Sequence, residues 1–453
     1  MSTRGAAPSF WLAQLPVTPP RPPLKAAITA DVCIVGGGFT GLWTAYELCR
    51  AQPGIDVVVL EAERVGFGAS GRNGGWVVGE IAGAPSRWEA RAGSDGVRRL
   101  GEAINGAVAE VGEVVRREQI GCDFVHGGTL CVARSQLELR RIATAPAAVG
   151  GEGATVLDAR QLAERIRVAG AVGAEFLPHC ARVQPAKLVA GLAAAAERAG
   201  ATIYEGSRVT AIDAGVASTA SGRVQAGAVV RATEGYTTHL PGNARTLLPM
   251  NSSMIVTEPL PAPLWDAIGW HNAETLMDAG HLYVYLQRTA DGRIAIGGRG
   301  VPYRYGSRTD REGPVPRRTV DELRRRLHTL FPSLRHTRID AAWHGVLGVP
   351  RDWMPAVGFD SERRLGWAGG YVGEGVAAAN LAGRTLRDLL LGRDTELTRL
   401  PWVGPFGRDW EPEPLRYAGA HLVYGLYRAA DAIEGRSGRP SVFARMGDAV
   451  AGR

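Results

Sequence analysis

The sequence predicts an α/β fold in which a domain of alternating strands and helices is interrupted by a second, α+β domain with a mainly antiparallel sheet. Three observations predict this. The chain has 453 residues, which is longer than a single hydrophobic core usually grows. A strand–helix–strand pattern stands near the N-terminus. A similar alternation returns near the C-terminus, after a middle section that is mainly β.

The N-terminal part of the sequence contains a complete βαβ unit. Asp31 to Val35 is a short apolar run typical of a buried strand, and three glycines separate it from a helical pattern that continues to Arg50. A second β run, Ile55 to Leu60, ends in Glu61. This order of elements is that of a nucleotide-binding sheet, so a Rossmann-like domain is predicted here.

Later segments repeat both periodicities. Val97 to Val115 has apolar residues three or four apart and predicts a long amphipathic helix. Cys122 to Arg134 alternates as a β-hairpin does, with Gly127 and Gly128 in its turn. The other predicted elements are the helices Leu188–Ala199, Val320–Leu330, Val376–Leu391 and Leu415–Ile433 and the strands Ala201–Glu205, Val209–Asp213, Ala228–Thr233, Met254–Glu258, Leu282–Arg288, Arg293–Gly298 and Leu365–Ala368.

Composition and charge argue against several classes of protein. The net charge of +7 comes from arginines spread along the chain, since Lys25 and Lys187 are the only lysines, so no nucleic-acid partner is expected. No apolar stretch reaches the roughly 18 residues of a membrane-spanning helix, and no secretory signal is visible. The five cysteines are scattered without metal or redox spacing. We therefore expect no metal site, no transmembrane segment and a cytoplasmic location.

Gly36, Gly38 and Gly41 form a GxGxxG motif between the first strand and the first helix. The tight turn, the close approach of a pyrophosphate and the packing of helix on strand each require a missing side chain. Glu61 stands at the tip of the second strand, where a carboxylate can accept hydrogen bonds from both ribose hydroxyls of an adenosine. A 2′-phosphate would be repelled there. The motif predicts a dinucleotide site and leaves NAD and FAD open.

The glycine-rich segment that follows decides between them. Residues 66–75, GFGASGRNGG, come directly after the acid of the second strand. With this segment the sequence resembles the D-amino-acid-oxidase-like superfamily of FAD enzymes, and within it the branch of amine and γ-glutamylputrescine-type oxidases. Further similar stretches are Ala30–Leu48, Gln184–Leu188, Val256–Leu260 and Gly369–Val376. The resemblance spans roughly residues 8 to 395 and implies bound FAD.

The resemblance also implies which residues hold the cofactor. The GASGRNGG loop would run beneath the flavin and its phosphates, and Val209 would present its backbone to the adenine. The last glycine stretch would set a helix N-terminus against the pyrimidine end of the flavin, where a reduced flavin carries negative charge. The predicted cofactor residues are Gly36, Gly38, Phe39, Thr40, Gly41, Glu61, Ser70, Gly71, Arg72, Asn73, Gly74, Gly75, Val209, Gly370, Tyr371, Gly373, Glu374, Gly375 and Val376.

The order of the predicted strands and helices divides the chain into domains. An FAD-binding domain is predicted in three segments, 28–90, 151–240 and 336–395. A substrate domain is predicted in two segments, 91–150 and 241–335, and residues 396–453 form a C-terminal extension. Oligomeric state is not predicted.

Two departures from relatives bear on the flavin chemistry. Residues 348–358 contain no cysteine and residues 70–76 no histidine, at the places where some relatives attach their flavin, so non-covalent FAD is expected. Sarcosine-oxidase relatives carry a lysine that helps electrons reach dioxygen, and neither lysine of this chain falls in the matching region. Arg299 is the nearest cationic residue, so oxidase and dehydrogenase stay open.

On the substrate side, Tyr283 and Tyr285 alternate with apolar residues and can line a cleft, although an amphipathic strand with a polar outer face would look the same. His344, with its neighbour Trp343, can approach the flavin edge or can be an ordinary core histidine. The predicted catalytic residues are Tyr283, Tyr285, Arg299 and His344. Arg288, Arg299 and Arg351 are possible clamps for a substrate carboxylate, with surface ion pairs as the alternative. Glu234 has no firm role: it can interact with a substrate ammonium or cap the chain turn.

These observations favour an FAD-dependent oxidase. It would take a hydride from the carbon next to the nitrogen of a small amine or amino acid, pass it to flavin N5, and reduce dioxygen to hydrogen peroxide. One alternative keeps the FAD and delivers electrons to a quinone or a carrier protein. Another is an FAD-binding subunit without turnover.

Overall fold

A computed structural model describes residues 9–298, 303–309 and 315–451. The predicted catalytic and clamp residue Arg299 lies outside these residues. The described part contains three β-sheets, with helices packed mainly on the first.

The strands are numbered in chain order. They are β1 Ala27–Val35, β2 Val57–Leu60, β3 Trp76–Val78, β4 Val125–His126, β5 Thr129–Ala133, β6 Thr155–Asp158, β7 Gly173–Leu177, β8 Cys180–Arg182, β9 Thr202–Tyr204, β10 Val209–Asp213, β11 Val216–Thr219, β12 Arg223–Arg231, β13 Leu248–Thr257, β14 Thr275–Asp278, β15 Tyr285–Arg288, β16 Ile294–Gly298, β17 Ile339–Val349, β18 Ala356–Asp360 and β19 Leu365–Gly369.

The α-helices are numbered in the same way. They are α1 Phe10–Ala13, α2 Phe39–Ala51, α3 Pro85–Arg117, α4 Gln136–Thr144, α5 Ala159–Ala163, α6 Pro185–Arg198, α7 Ala262–Ile268, α8 Arg317–Leu330, α9 Gly375–Leu390, α10 Leu415–Ser437 and α11 Val442–Ala451. Helix α3 begins earlier than the sequence predicts, and its first part is set off at Gly93, where a φ of 67° leaves helical geometry.

The first sheet is the predicted nucleotide-binding sheet. Its central strand β1 pairs in parallel with β2 on one side and with β12 on the other, and β19 pairs in parallel with β12. Successive side chains of β1 alternate between the faces, so Ile34 joins one core with α2, α3, α6 and α9, while Cys33 and Val35 join another on the opposite face. The Rossmann-like prediction is confirmed.

The second sheet is mixed and mainly antiparallel, in the order β17-β13-β16-β15-β14-β5-β7-β6. One face packs on α7 and α8 through a core that includes Ile255, Leu286 and Ile296. The other face turns toward the glycine-rich loop that follows β2, because a Cβ on Gly74 would meet the ring of Tyr285. A third sheet, β3-β8-β4, continues from that loop.

Two sequence predictions concerning the second sheet need correction. Residues 122–134 do not form a hairpin, because β4 pairs with β8 and β5 pairs with β7 and β14. The predicted domain boundary at 150 and 151 does not follow the sheets either, since β6 and β7 pair beside β5, and β17 runs beyond residue 336 within the same sheet. Local alternation identifies a strand but not its partner, which is why both were missed.

Candidate active site

A cavity of about 680 Å³ lies between the first sheet and the open face of the second. Its lining joins segments that are distant in sequence: the GxGxxG turn, the tip of β2, the loop after it, the end of β12, the β15 region and the start of α9. Of the predicted cofactor residues, those on its wall are Gly36, Gly38, Phe39, Thr40, Glu61, Ser70, Arg72, Asn73, Gly74, Val209, Tyr371, Gly373, Glu374, Gly375 and Val376. A volume of this size is usual for a ligand site.

The GxGxxG turn has no room for side chains. Gly36 has a φ of 115°, and a Cβ there would lie 2.5 Å from the carbonyl oxygen of Ala232 on the neighbouring strand. A Cβ on Gly41 would overlap the carbonyl oxygen of Gly36. Gly41 therefore lets the helix pack against its own turn, away from the cavity wall, while Gly38 ends the turn in front of the first N–H groups of α2.

Glu61 lies at the cavity wall, at the end of β2. Its Oε2 accepts the N–H group of Gly37 at 2.7 Å, and its Oε1 accepts the N–H group of Glu63 at 2.9 Å. Burial raises the pKa of this carboxyl group, while the two backbone donors oppose that rise. A carboxylate has more lone pairs than these two bonds use, so acceptor capacity is left for ribose hydroxyls.

The loop 66–75 is held in place by its own side chains. Ser70 Oγ accepts the N–H group of Phe39 at 2.8 Å, which ties the loop to the first turn of α2. Asn73 Oδ1 accepts the N–H group of Gly75 at 2.7 Å, and Asn73 Nδ2 donates to the carbonyl oxygen of Ser70 at 2.9 Å. Arg72 is buried, and its Nε donates to the carbonyl oxygen of Phe67 at 2.6 Å. The loop is therefore preorganised.

The turn between β19 and α9 is fixed by the carboxylate of Glu234, for which the sequence left two roles open. Glu234 accepts the N–H groups of Gly370 at 3.2 Å and Tyr371 at 3.1 Å. Burial raises the pKa of Glu234 to about 7, against these two backbone donors. The hydroxyl of Tyr371 lies 3.0 Å from Thr40 Oγ1, so the same turn is also joined to α2.

The wall opposite the loop is aromatic. The ring of Tyr285 lies against Gly74 on one side and Gly297 on the other, where added Cβ atoms would collide with it. Its hydroxyl lies 2.9 Å from Ser252 Oγ, and the indole of Trp76 packs edge-on to it with the ring centroids 6.3 Å apart. Tyr283 also lines the cavity, from the turn before β15. Both predicted tyrosines therefore lie at the cavity.

Three other predicted substrate residues, His344, Arg288 and Arg351, do not lie on the cavity wall. His344 is buried beside it, and its carbonyl oxygen accepts from Arg72 Nη1 at 3.3 Å. Arg288 stacks over Trp265, with 4.1 Å to the ring centroid, and Arg351 pairs with Glu411 at 3.0 Å. The two arginines satisfy structural contacts, so their prediction as carboxylate clamps is not supported. The predicted cofactor residues Gly71, Gly75 and Gly370 do not line the cavity either. A Cβ on any of them would collide with a neighbouring group.

Several wall residues were not singled out from the sequence. After the glycine loop, every second residue lines the cavity: Trp76, Val78 and Glu80. This is the spacing of residues on one face of a strand. Met254 on β13 pairs with Gly297 on β16, and Met277 on β14 pairs with Tyr285 on β15. The alternation after Gly75 was the one available signal for Trp76 and Glu80. Register across the sheet, which brings in the methionines, cannot be read from one sequence.

The residues present fit the dinucleotide flavin expected from the sequence. A side-chain-free turn, a helix N-terminus and a carboxylate with spare acceptor capacity lie at one end of the cavity, and an aromatic wall lies at the other. Within the described ranges, no group of three or more possible metal-ligating side chains occurs. In the same ranges, no helix combines the length and the apolar character that crossing a bilayer requires.

Comparisons with known proteins agree with this geometry. A family model described as FAD dependent oxidoreductase (DAO) matches residues 31–389. Gamma-glutamylputrescine oxidoreductase of Escherichia coli (strain K12) is 34% identical over 392 residues, 85% of this chain and 89% of that protein. Glycine oxidase of Geobacillus kaustophilus (strain HTA426) is 26% identical over 385 residues, 82% of this chain and 96% of that protein. A crystal structure of glycine oxidase from Geobacillus kaustophilus has a TM-score of 0.66 at 24% identity, covering 82% of this chain and 96% of that one.

Proposed function

The chain belongs to the DAO family of FAD-dependent oxidoreductases, and from that premise we propose that it oxidises a carbon–nitrogen bond of a small amine or amino acid with dioxygen as the acceptor. The products would be an imine and hydrogen peroxide. The observation that carries the proposal is the shared cavity. Glu61 and the glycine turn line one end, and Tyr285 and Trp76 line the other, so a flavin and a substrate can meet inside it.

Bound FAD supplies the hydride acceptor and later returns the electron pair to dioxygen. On the substrate, the C–H bond beside nitrogen breaks, its electron pair leaves with the hydrogen, and the nitrogen lone pair forms the C=N bond. The nitrogen then loses a proton, and water hydrolyses the imine. This chemistry needs a neutral amine held close and dry rather than a strong acid or base from the protein.

The residues around the cavity suit that task. The Tyr285 ring is fixed between two glycines and can position a substrate against the loop at Gly74. The N-terminus of α9, which begins at Gly375, can stabilise the negative charge that gathers on a reduced ring, because helix N-terminal N–H groups favour anions. Glu234 holds the turn that aims this helix end.

Two observations support the choice of dioxygen and of a non-covalent flavin. One of the similar proteins is named a glycine oxidase, and its solved counterpart has the same fold. The cysteines of the described residues are free, and none lies on the cavity wall. We propose that the flavin is held by hydrogen bonds and packing alone, so that acid precipitation of the protein should release all of it into solution.

The proposal is tested on purified holoenzyme. Anaerobic mixing with a panel of primary amines, secondary amines and amino acids should bleach the flavin with at least one of them. In air the same compound should yield hydrogen peroxide in proportion to substrate consumed. If bleaching occurs but only an artificial electron acceptor supports turnover, the oxidase assignment falls and a dehydrogenase remains. If no compound bleaches the flavin, amine oxidation itself is contradicted.

A further inference from the structure

Glu80 is a carboxylate on the cavity wall that the steps above do not use. It follows Trp76 and Val78 along β3 and its continuation, and all three side chains line the cavity. Protein encloses Glu80 on its other sides, and the groups around it are also acidic: Glu374 at the start of α9 and Glu175 on β7. The cavity therefore has an acidic region beside its aromatic wall.

Glu80 has no hydrogen bond or ion pair with any residue in 9–298, 303–309 or 315–451. Buried carboxylates are normally paired with a cation or with hydrogen-bond donors, because water no longer solvates them. Here burial raises the pKa of Glu80 to about 8, and repulsion by Glu374 adds to the rise. A cation bound beside Glu80 would favour the ionised form of its carboxyl group and relieve both effects.

The wall between this acidic region and the glycine loop suits a hydrocarbon chain. It carries Val78, Met254 and Met277 together with the two tyrosine rings. Met277 and Tyr285 are direct partners on β14 and β15, and Cys131 and Glu175 continue the same row on β5 and β7. A flexible chain of methylene groups can lie along such a surface, with one end at the loop and the other at the carboxylates.

We propose that Glu80 and Glu374 form a subsite for a second, non-reacting ammonium group, so that the substrate is an aliphatic diamine or longer polyamine. The inference rests on the proposed amine oxidation at the flavin. The reacting nitrogen must be neutral to release a hydride, whereas the distal nitrogen stays protonated and pairs with the carboxylates. Recognition by this charge pair would separate diamines from monoamines of equal length.

The test uses anaerobic holoenzyme and two matched series of probes: 1,ω-diaminoalkanes of three to eight carbons and the corresponding n-alkylamines. The change in flavin absorbance, whether bleaching or a spectral shift, gives a Kd for each probe. The limiting rate of bleaching is recorded separately. In the wild type the best diamine should bind at least about 10-fold more tightly than its monoamine, as expected for a desolvated charge pair. In Glu80→Gln this preference should fall to about threefold or less.

Three controls separate the subsite from general damage. Glu80→Asp keeps the charge and should retain part of the preference. Glu164→Gln, an exposed carboxylate next to α5, should leave all values unchanged. Glu80→Gln should melt no lower than the wild type, because it removes charge repulsion.

Distinct results bear on the two proposals. The inference is overturned if wild-type Kd values for diamine and monoamine agree, if Glu80→Gln keeps the preference, or if no diamine changes the flavin spectrum. If diamines bind tightly and Glu80→Gln abolishes this, yet no amine or amino acid bleaches the flavin, the subsite stands and the proposed oxidation fails.

Discussion

The carboxylate of Glu234 accepts the backbone N–H group of Tyr371 at 3.1 Å and thereby joins the end of β12 to the turn before α9. Glu234 itself has a φ of 45°, which few non-glycine residues adopt. A buried carboxylate in this backbone conformation is costly, and its bonds to Tyr371 and Gly370 offset part of the cost. The turn before α9 is therefore held by Glu234 as well as by the contact between Tyr371 and Thr40.

Glu234→Ala should lower the free energy of unfolding by about 2 to 4 kcal/mol, because it leaves two enclosed N–H groups without their acceptor. It should also lower the flavin content of the purified protein, since the helix end would lose its position. Glu234→Gln retains one acceptor oxygen, so it should lower the free energy of unfolding and the flavin content by less than Glu234→Ala does. Urea unfolding and the flavin-to-protein absorbance ratio measure both effects. Equal stability of wild type and Glu234→Ala would contradict this role.

Stability should depend on pH through the same residue. The pKa of Glu234 is raised to about 7 in the folded protein, above its ordinary value of 4.5, so the native state binds more protons than the unfolded chain between these values. The free energy of unfolding should therefore fall as pH rises from 4.5 to 7, by about 3 kcal/mol from this group, and stay level above that range. Glu234→Gln should show a flatter profile in urea titrations. If the free energy of unfolding depended on pH in the same way in wild type and Glu234→Gln, the pH dependence would not come from Glu234.

The GxGxxG turn offers a matched pair of substitutions. A Cβ on Gly41 would collide with the carbonyl oxygen of Gly36, whereas a Cβ on Gly106, within α3, meets nothing within 4 Å. Gly41→Ala should yield protein with little bound flavin and a lower melting temperature. Gly106→Ala should be neutral or up to about 1 kcal/mol more stable, since alanine favours helix. Full flavin loading in Gly41→Ala would show that the turn tolerates the extra atom.

The cofactor end of the site could be predicted from the sequence because its signals are local. Gly36, Gly38, Gly41 and Glu61 lie within one βαβ unit, and the roles of turn, helix start and strand tip follow from their order. The tyrosines Tyr283 and Tyr285 were found for a related reason, since they stand two apart near a strand. The fold class followed from the same alternation of elements.

The substrate end was predicted less well because its members meet only through tertiary packing. Arg288 and Arg351 looked like clamps, but each is held by partners distant in sequence, Trp265 and Glu411. The sequence left two roles open for Glu234, and only the structure shows that it accepts the N–H group of Gly370 in the turn before α9. The pairing of strands and the packing of one sheet against another decide which residues face a cavity, and no local periodicity in the sequence encodes them.

Glu61 should control the affinity for FAD. Its carboxylate holds the N–H groups of Gly37 and Glu63 and has acceptor capacity left for ribose hydroxyls. Glu61→Ala removes all of these acceptors and should raise the Kd of FAD by about 10- to 100-fold, consistent with about 1.5 to 3 kcal/mol for hydrogen bonds to a charged group. Titrating deflavinated protein with FAD measures this. FMN, which lacks the adenosine, should bind to wild type and Glu61→Ala with the same Kd. If the Kd of FMN rose as much as that of FAD, the substitution would act on a part of the site other than the ribose contact.

Tyr285 should act through its ring rather than its hydroxyl group. The ring lies between Gly74 and Gly297 and forms the wall, while the hydroxyl bonds Ser252 Oγ, which also donates to the carbonyl oxygen of Gly298. Tyr285→Phe should therefore keep kcat/KM within about threefold and cost about 1 kcal/mol of stability. Tyr285→Ala should lower kcat/KM by about 100-fold or more, because the substrate loses the surface that positions it. Tyr305→Phe, at an exposed tyrosine, serves as the control. If Tyr285→Phe were as impaired as Tyr285→Ala in steady-state assays, the hydroxyl would take part in the reaction and the wall alone would not explain the site.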